Sequence, residues 1–247
     1  MPGSLTGKTY WLVGASEGLG RALARELSAA GARLCLSARN GSRLAELSGE
    51  LREDTVITTC DIRQTASVEQ AFRQLPSIDG LIFNAGTYDP VSATKWDAAA
   101  VEAMCDTNFT GAARVLGCAM PHFVEQGHGH IVLIGSLAGY RGLPGAIGYA
   151  SSKAALMNLA ESLRIDLPAP AFNVQMINPG FIETRLTAKN NFDMPHIMTA
   201  EAAAREVLRA MENGRFRNDF PRAFARRIRI ARHLPDWLYF RLLQSKR

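Results

Sequence analysis

The run Thr9-Tyr10-Trp11-Leu12-Val13 leads without a break into Gly14-Ala15-Ser16-Glu17-Gly18-Leu19-Gly20, and apolar residues then recur at Leu23, Leu27 and Ala30. This reads as a strand feeding a glycine-rich turn at the start of a helix. Backbone without side chains can approach an anion closely, and the first N–H groups of the helix point at it, so the arrangement is a phosphate cradle. A glycine loop alone is weak support, because tight turns need glycine anyway and the spacing differs from GxGxxG. The rest of the chain constrains the fold further. Strand patterns at 33–37, 56–60 and Gly80–Phe83 alternate with helical patterns at 42–52 and 68–73, and further strands are read at Gly129–Ile134 and 172–177. Such alternation predicts an α/β chain, with parallel strands joined by right-handed crossovers into a doubly wound sheet with helices on both faces.

In that architecture ligands bind at the carboxyl ends of the strands. Gly14, Ala38, Asp61, Asn84-Ala85-Gly86 and Ser136 all follow or finish predicted strands, so they are expected on one rim. Two longer helices are expected, one from 98 to 104 continuing through Asn108 toward Pro121, the other over 149–167. Tyr149 and Lys153 are four apart, which puts both side chains on one helix face. A phenol ionises near pH ~10, and a neighbouring ammonium is expected to lower that value toward neutrality. The Ser136 hydroxyl is placed to hold a substrate carbonyl beside the phenol. A lone YxxxK more often marks a solvated helix face; its coincidence with the rim residues gives it weight. After the strand ending in Asn178-Pro179-Gly180, residues 181–198 read as an irregular lid carrying Phe181, Leu186, Phe192, Met194 and Ile197, followed by a helix over Ala200–Asn213.

The length of 247 residues suits one domain with a sizeable core, and 47% apolar with 21% charged residues is a globular profile. The start shows no signal-peptide pattern and no apolar run is long enough to span a bilayer, so a cytoplasmic location is expected. Cys35, Cys60, Cys105 and Cys118 form no CxxC pair and read as reduced, mostly buried thiols. The five histidines lack metal-ligand spacing, and no metal is expected.

Taken in order, Gly14-x-x-x-Gly18-x-Gly20, Asp61, Asn84-Ala85-Gly86, Asn108, Ser136, Tyr149-x-x-x-Lys153 and Pro179-Gly180 with Thr184 resemble the signature set of the short-chain dehydrogenases/reductases, over most of the chain from about Leu5 to Phe220. The resemblance implies a single-domain Rossmann-type sheet and a nicotinamide dinucleotide enzyme acting on a carbonyl/alcohol pair. It implies Tyr149 as general acid or base, Lys153 on the ribose hydroxyls, Ser136 on the carbonyl and Asn108 in a proton relay through water. It also implies that Gly14, Gly18 and Gly20 line the pyrophosphate, with Ser16 and Leu19 among the cofactor-binding residues. Asp61 would meet the adenine, Asn84 with Ala85 and Gly86 would lie beside the adenosine ribose, and Thr184 after Pro179-Gly180 would touch the carboxamide. A homodimer or homotetramer is implied in the same way. Where an acid would bind the ribose hydroxyls of NAD stands Ala38, followed by Arg39, which favours the 2′-phosphate of NADP. Glu17 weighs the other way, and NAD stays open.

The C-terminus departs from the family pattern. Residues 215–220 read as a short last strand, and 221–247 as a basic amphipathic helical extension to a dinucleotide-binding and catalytic unit over 1–220. Residues 214–247 carry ten Lys or Arg against two Asp, a net of +8 in a chain whose total is +5. Such helices either pack their apolar faces on the domain or a second subunit, or lie on an anionic membrane. Nucleic acid is not expected, since no binding motif accompanies the charge. Besides the reductase, two other readings stand: a dinucleotide-binding sensor or scaffold without turnover, and a membrane-associated reductase of a lipid-like carbonyl compound. The intact Asn108, Ser136, Tyr149, Lys153 set argues against the sensor.

Overall fold

The computed structural model describes residues 5–52 and 55–244. Seven strands, β1 (Thr9–Val13), β2 (Arg33–Ala38), β3 (Val56–Thr59), β4 (Gly80–Phe83), β5 (Gly129–Ile134), β6 (Phe172–Pro179) and β7 (Arg217–Phe220), form one sheet in the order β3-β2-β1-β4-β5-β6-β7. Every pairing is parallel. Parallel neighbours need crossovers, and these are supplied by α1 (Gly18–Ala29), α2 (Gly41–Ser48), α3 (Thr65–Arg73), α4 (Ala98–Cys105), α5 (Gly111–Gln126), α6 (Ile147–Asp166) and α7 (Ala200–Asn213). The chain ends in two further helices, α8 (Arg222–Ala231) and α9 (Asp236–Gln244).

Both faces of the sheet are covered, which is why the central strands β1, β4 and β5 are nearly continuous apolar runs. Leu12, Leu34 and Leu36 pack under Leu23 and Leu27 of α1 and Val207 and Met211 of α7. Trp11, Val13, Leu81 and Leu133 point the other way, onto Val115 and Phe123 of α5 and Leu156 of α6. Successive residues of one strand thus serve two cores, as the strand period of two requires. Strand order reverses direction at β1, so the crevice between the carboxyl ends of β1 and β4 is the switch point where ligands bind in such sheets.

Three sequence expectations are corrected. The second helix stops at Ser48 instead of 52: Gly49 caps it, and the N–H groups of Glu50 and Leu51 bond back to Leu47 and Ser48 as tight turns. The helix expected to run on through Asn108 is broken by a π-helical turn over Asp106–Thr110 before α5 begins. Of the four free thiols, Cys35 and Cys60 are buried, but Cys105 and Cys118 are only half-buried. In the extension expected over 221–247, α8 and α9 are joined by a turn at 232–235; residues 1–4, 53–54 and 245–247 of the two expected units lie outside the described residues.

Candidate active site

The glycine turn is shaped by close packing. A Cβ on Gly14, whose φ is +90°, would sit 2.6 Å from the Ala85 nitrogen, and one on Gly20 would meet the Gly14 carbonyl oxygen at 2.0 Å. The Asn84 amide donates to that same carbonyl at 2.8 Å, so the ends of β1 and β4 and the first turn of α1 are locked together. Helix α1 starts at Gly18 with no side-chain cap and no acid in its first turn. Its leading N–H groups are thus left without a side-chain acceptor, which suits a pyrophosphate. Glu17 turns away from them and is clamped by Arg43 at 2.7 Å and Arg185 at 2.6 Å.

At the middle of the rim the four residues of the proposed catalytic set come together. Asn108 is fully buried on the π-helical turn: its Oδ1 accepts from the Thr87 N–H at 2.7 Å, and its Nδ2 donates to Thr87 O and Ser152 Oγ, both at 3.0 Å. Ser136 comes just after β5, and its hydroxyl caps the short 3-10 turn Leu137–Tyr140 by accepting from the Ala138 N–H at 3.1 Å. Tyr149 and Lys153 leave the same side of α6. Lys153, 3% exposed, donates from Nζ to Ile134 O at 2.8 Å and lies 5.9 Å from the centre of the Tyr149 ring. Gly86 leaves space beside both partners: a Cβ there would be 3.4 Å from Asn108 Oδ1 and 3.7 Å from Lys153 Nζ.

The electrostatics correct one expectation. Burial pushes the Tyr149 phenol above its usual range; a hydrogen bond with Ser136 draws it part of the way back, and neighbouring Tyr88 adds to the rise. Burial likewise pushes the Lys153 ammonium down to about 8. Dehydration disfavours both charged forms, and Lys153 spends its contact on a backbone carbonyl, so the expected lowering of the phenol by the amine is absent from this geometry.

The other rim residues lie where the strands end. Arg39 comes just after β2 and is exposed, beside a buried Ala38. Asp61 is gripped by Arg63 through Nε at 3.0 Å and Nη2 at 2.7 Å, which holds its carboxyl below the usual range, with the Arg63 hydrogen bond as the largest cause. Pro179 ends β6, and Gly180 donates its N–H to Phe220 O at 2.7 Å. Thr184 folds over the glycine turn, its Cγ2 3.0 Å from where a Gly18 Cβ would be. Ser16 and Leu19 lie in the turn and the first turn of α1. The segment 181–198 is irregular apart from a short 3-10 turn over Thr187–Lys189 and a bridge between Ile182 and Met198. It forms one wall of an open cleft of about 420 Å³ lined by Tyr88, Pro144, Gly145, Lys189, Asn190 and Phe192.

Sequence reasoning missed several of these partners. Tyr88 lines the cleft and meets Tyr149 edge to face at 5.2 Å between centres. Ser152 bridges Asn108 to the Tyr149 carbonyl, to which it donates at 2.9 Å. Arg43 and Arg185 neutralise Glu17. Only Ser152, next to Lys153, carried a local signal; the others depend on loops folding back.

A family model described as short chain dehydrogenase matches residues 8–195. The chain is 35% identical over 239 residues to an uncharacterized oxidoreductase of Myxococcus xanthus, covering 94% of each chain. It is 31% identical over 221 residues to the ketoacyl reductase HetN of a Nostoc species, covering 85% of this chain and 77% of the other. Among solved structures, the closed form of serine dehydrogenase complexed with NADP+ superposes with a TM-score of 0.78 at 27% identity, over 86% of this chain and 94% of that one. With the sheet order, the glycine cradle and the Tyr149–Lys153 pair on one rim, these matches place the chain in the short-chain dehydrogenase/reductase family of oxidoreductases.

Proposed function

We propose that the protein is an NADP-dependent oxidoreductase interconverting a carbonyl compound and its alcohol, with Tyr149 as general acid in reduction and general base in oxidation. The observation that carries this reading is the meeting of Asn108, Ser136, Tyr149 and Lys153 beside an uncapped α1 N-terminus at the sheet's switch point. When bound, the dinucleotide supplies or accepts the hydride. The chain's own residues do the rest. The first turn of α1 with Gly14, Ser16, Gly18, Leu19 and Gly20 holds the pyrophosphate, Asn84 with Ala85 and Gly86 flanks the adenosine ribose, and Pro179, Gly180 and Thr184 border the carboxamide. Asp61 borders the adenine, held in place by Arg63. Ser136 orients the carbonyl oxygen, Tyr149 gives it a proton from Oη, Lys153 would hold the ribose hydroxyls, and Asn108 supports the relay of a proton from water to the phenol. A phenol that stays protonated across the neutral range suits the role of acid.

NADP is favoured over NAD by Arg39, exposed next to Ala38 where no carboxylate would repel a 2′-phosphate. The charge of Glu17, which would oppose that phosphate, is already neutralised by Arg43 and Arg185. Pro90, Pro144 and Phe192 offer apolar contacts to a carbonyl substrate, beside the polar Ser92, Thr94, Lys189, Asn190 and Asn191. Residues 1–220 are read as the catalytic unit and 221–247 as its extension, assembled as a homodimer or homotetramer. NADPH and NADH titrations of the wild type and Arg39→Ala test the cofactor, and turnover of a carbonyl panel by Tyr149→Phe tests the chemistry. The expected results are NADPH preference weakened by the first substitution and a loss of roughly 10²- to 10⁴-fold with the second, folding unchanged. Binding of neither cofactor, or full turnover without the Tyr149 hydroxyl, would refute the proposal.

A further inference from the structure

The C-terminal helices are fastened to the body by their inner faces. On α8, Phe224, Ala225 and Ile228 turn inward, and Phe224 stacks on Phe181 at 5.8 Å. On α9, Tyr239 is buried and donates to the Gly142 carbonyl at 2.8 Å. Opposite Tyr239, Trp237, Phe240, Arg241 and Gln244 form one stripe at helical spacing, and Trp237 and Phe240 remain 67% and 53% exposed. The outer face of α8 carries Arg222, Arg226, Arg227 and an exposed Ile230. Among the described residues, Arg222, Arg226, Arg227 and Arg241 make no ion pair, whereas Arg217 pairs with Glu161 and Arg229 with Asp219.

Large aromatics beside unpaired guanidiniums on short helices fit an interface that is apolar below and anionic above. We infer that α8 and α9 dock the protein on an anionic lipid bilayer, with Trp237 and Phe240 inserted at headgroup depth and the free arginines on lipid phosphates. Charge separates this occupant from a second copy of the chain. Residues 214–247 carry +8 and the remainder −3, so two tails repel, while the whole molecule is oriented tail-first toward a negative surface. The inference needs no helix that crosses the membrane, and none of the described helices is long and apolar enough to do so. It is independent of the reaction proposed above.

Sedimentation of the full chain with vesicles of phosphatidylcholine alone, or mixed with phosphatidylglycerol, tests it without any turnover. Trp96→Phe leaves Trp237 as the exposed indole, Trp11 being buried. The expected result is binding to the anionic vesicles only, a blue shift of Trp237, and weakening by salt. Trp237→Ser, or Arg226→Glu with Arg227→Glu, is expected to lower partitioning at least about tenfold, with melting unchanged because these side chains face solvent. Absent binding, or equal binding to both vesicle types, would overturn the inference. So would a lipid-free blue shift that rises with protein concentration together with a doubled sedimenting mass, which would assign the stripe to a second copy.

Discussion

Between Tyr10 and Gln175, His130 has its protonation written by its neighbours. Gln175 Nε2 is committed to the carbonyls of Ala210 and Arg215 at 2.7 and 2.9 Å, so its Oε1 accepts from His130 Nε2 at 2.8 Å. Nδ1 is then an acceptor, and the Tyr10 hydroxyl donates to it at 2.8 Å. A second ring proton has no acceptor there, and burial pushes the imidazolium down to about 4. The folded value lies below the unfolded one near ~6.5, so the unfolded chain takes up the proton first as pH falls. Stability from neutral His130 is complete above that pH and is withdrawn between it and about 4, by roughly 3 kcal/mol in all. Urea unfolding across this range is expected to show the decline, and His130→Gln to flatten it. An unchanged slope in the variant would place the titration elsewhere.

At the scale of elements, the π-helical turn Asp106–Thr110 separates α4 from α5 and carries Asn108 inward. Such turns arise where the regular ladder is interrupted, often at functional sites. Arg114 pins it by donating to Asp106 Oδ1 at 2.7 Å and to the Ile62 carbonyl at 3.2 Å. Asn108 then joins this turn to the loop after β4 through Thr87 and to α6 through Ser152. Ser152→Ala leaves one buried amide proton of Asn108 without an acceptor. The expected cost is about 1–3 kcal/mol of unfolding free energy by urea denaturation, together with reduced turnover. A loss below about 0.5 kcal/mol would mean that Thr87 alone holds the amide.

For the molecule as a whole, Arg141 is the clasp between the body and the extension. Its guanidinium donates to the carbonyls of Ala231, Arg232 and Leu234 at the end of α8, pairs with Asp236, and stacks on Tyr239 at 3.9 Å. Its planar fork gathers carbonyls in the turn that follows α8, a task lysine cannot match. Arg141→Ala is expected to destabilise the fold by about 2–3 kcal/mol and to open 221–244 to limited proteolysis, with Arg141→Lys recovering only part. Equal protease resistance in wild type and variant would show that the apolar contacts of Phe224 and Tyr239 suffice. Arg141 also heads the loop that ends at Pro144 and Gly145 on the cleft, so the extension and the cleft wall share one support.

The sequence alone determined the strands and the rim. Strand and helix periods are local, so β1, β4 and β5 and helix α7 could be read to the residue, and parallel topology then brought Gly14, Asn84 and Ser136 to one edge whatever the loops did. The spacing of Tyr149 and Lys153 fixed their shared face for the same reason. Tertiary structure decided what depends on distance and burial. It set the direction of the Tyr149 and Lys153 ionisations, because dehydration is a property of the surroundings and not of spacing. Contacts across 168 positions between Glu17 and Arg185 neutralised the acid that had weighed against NADP. And it divided the extension into a seated face and an open one: amphipathic period shows that two faces exist, but only the site at which Arg141 and Gly142 receive α9 selects which of them water sees.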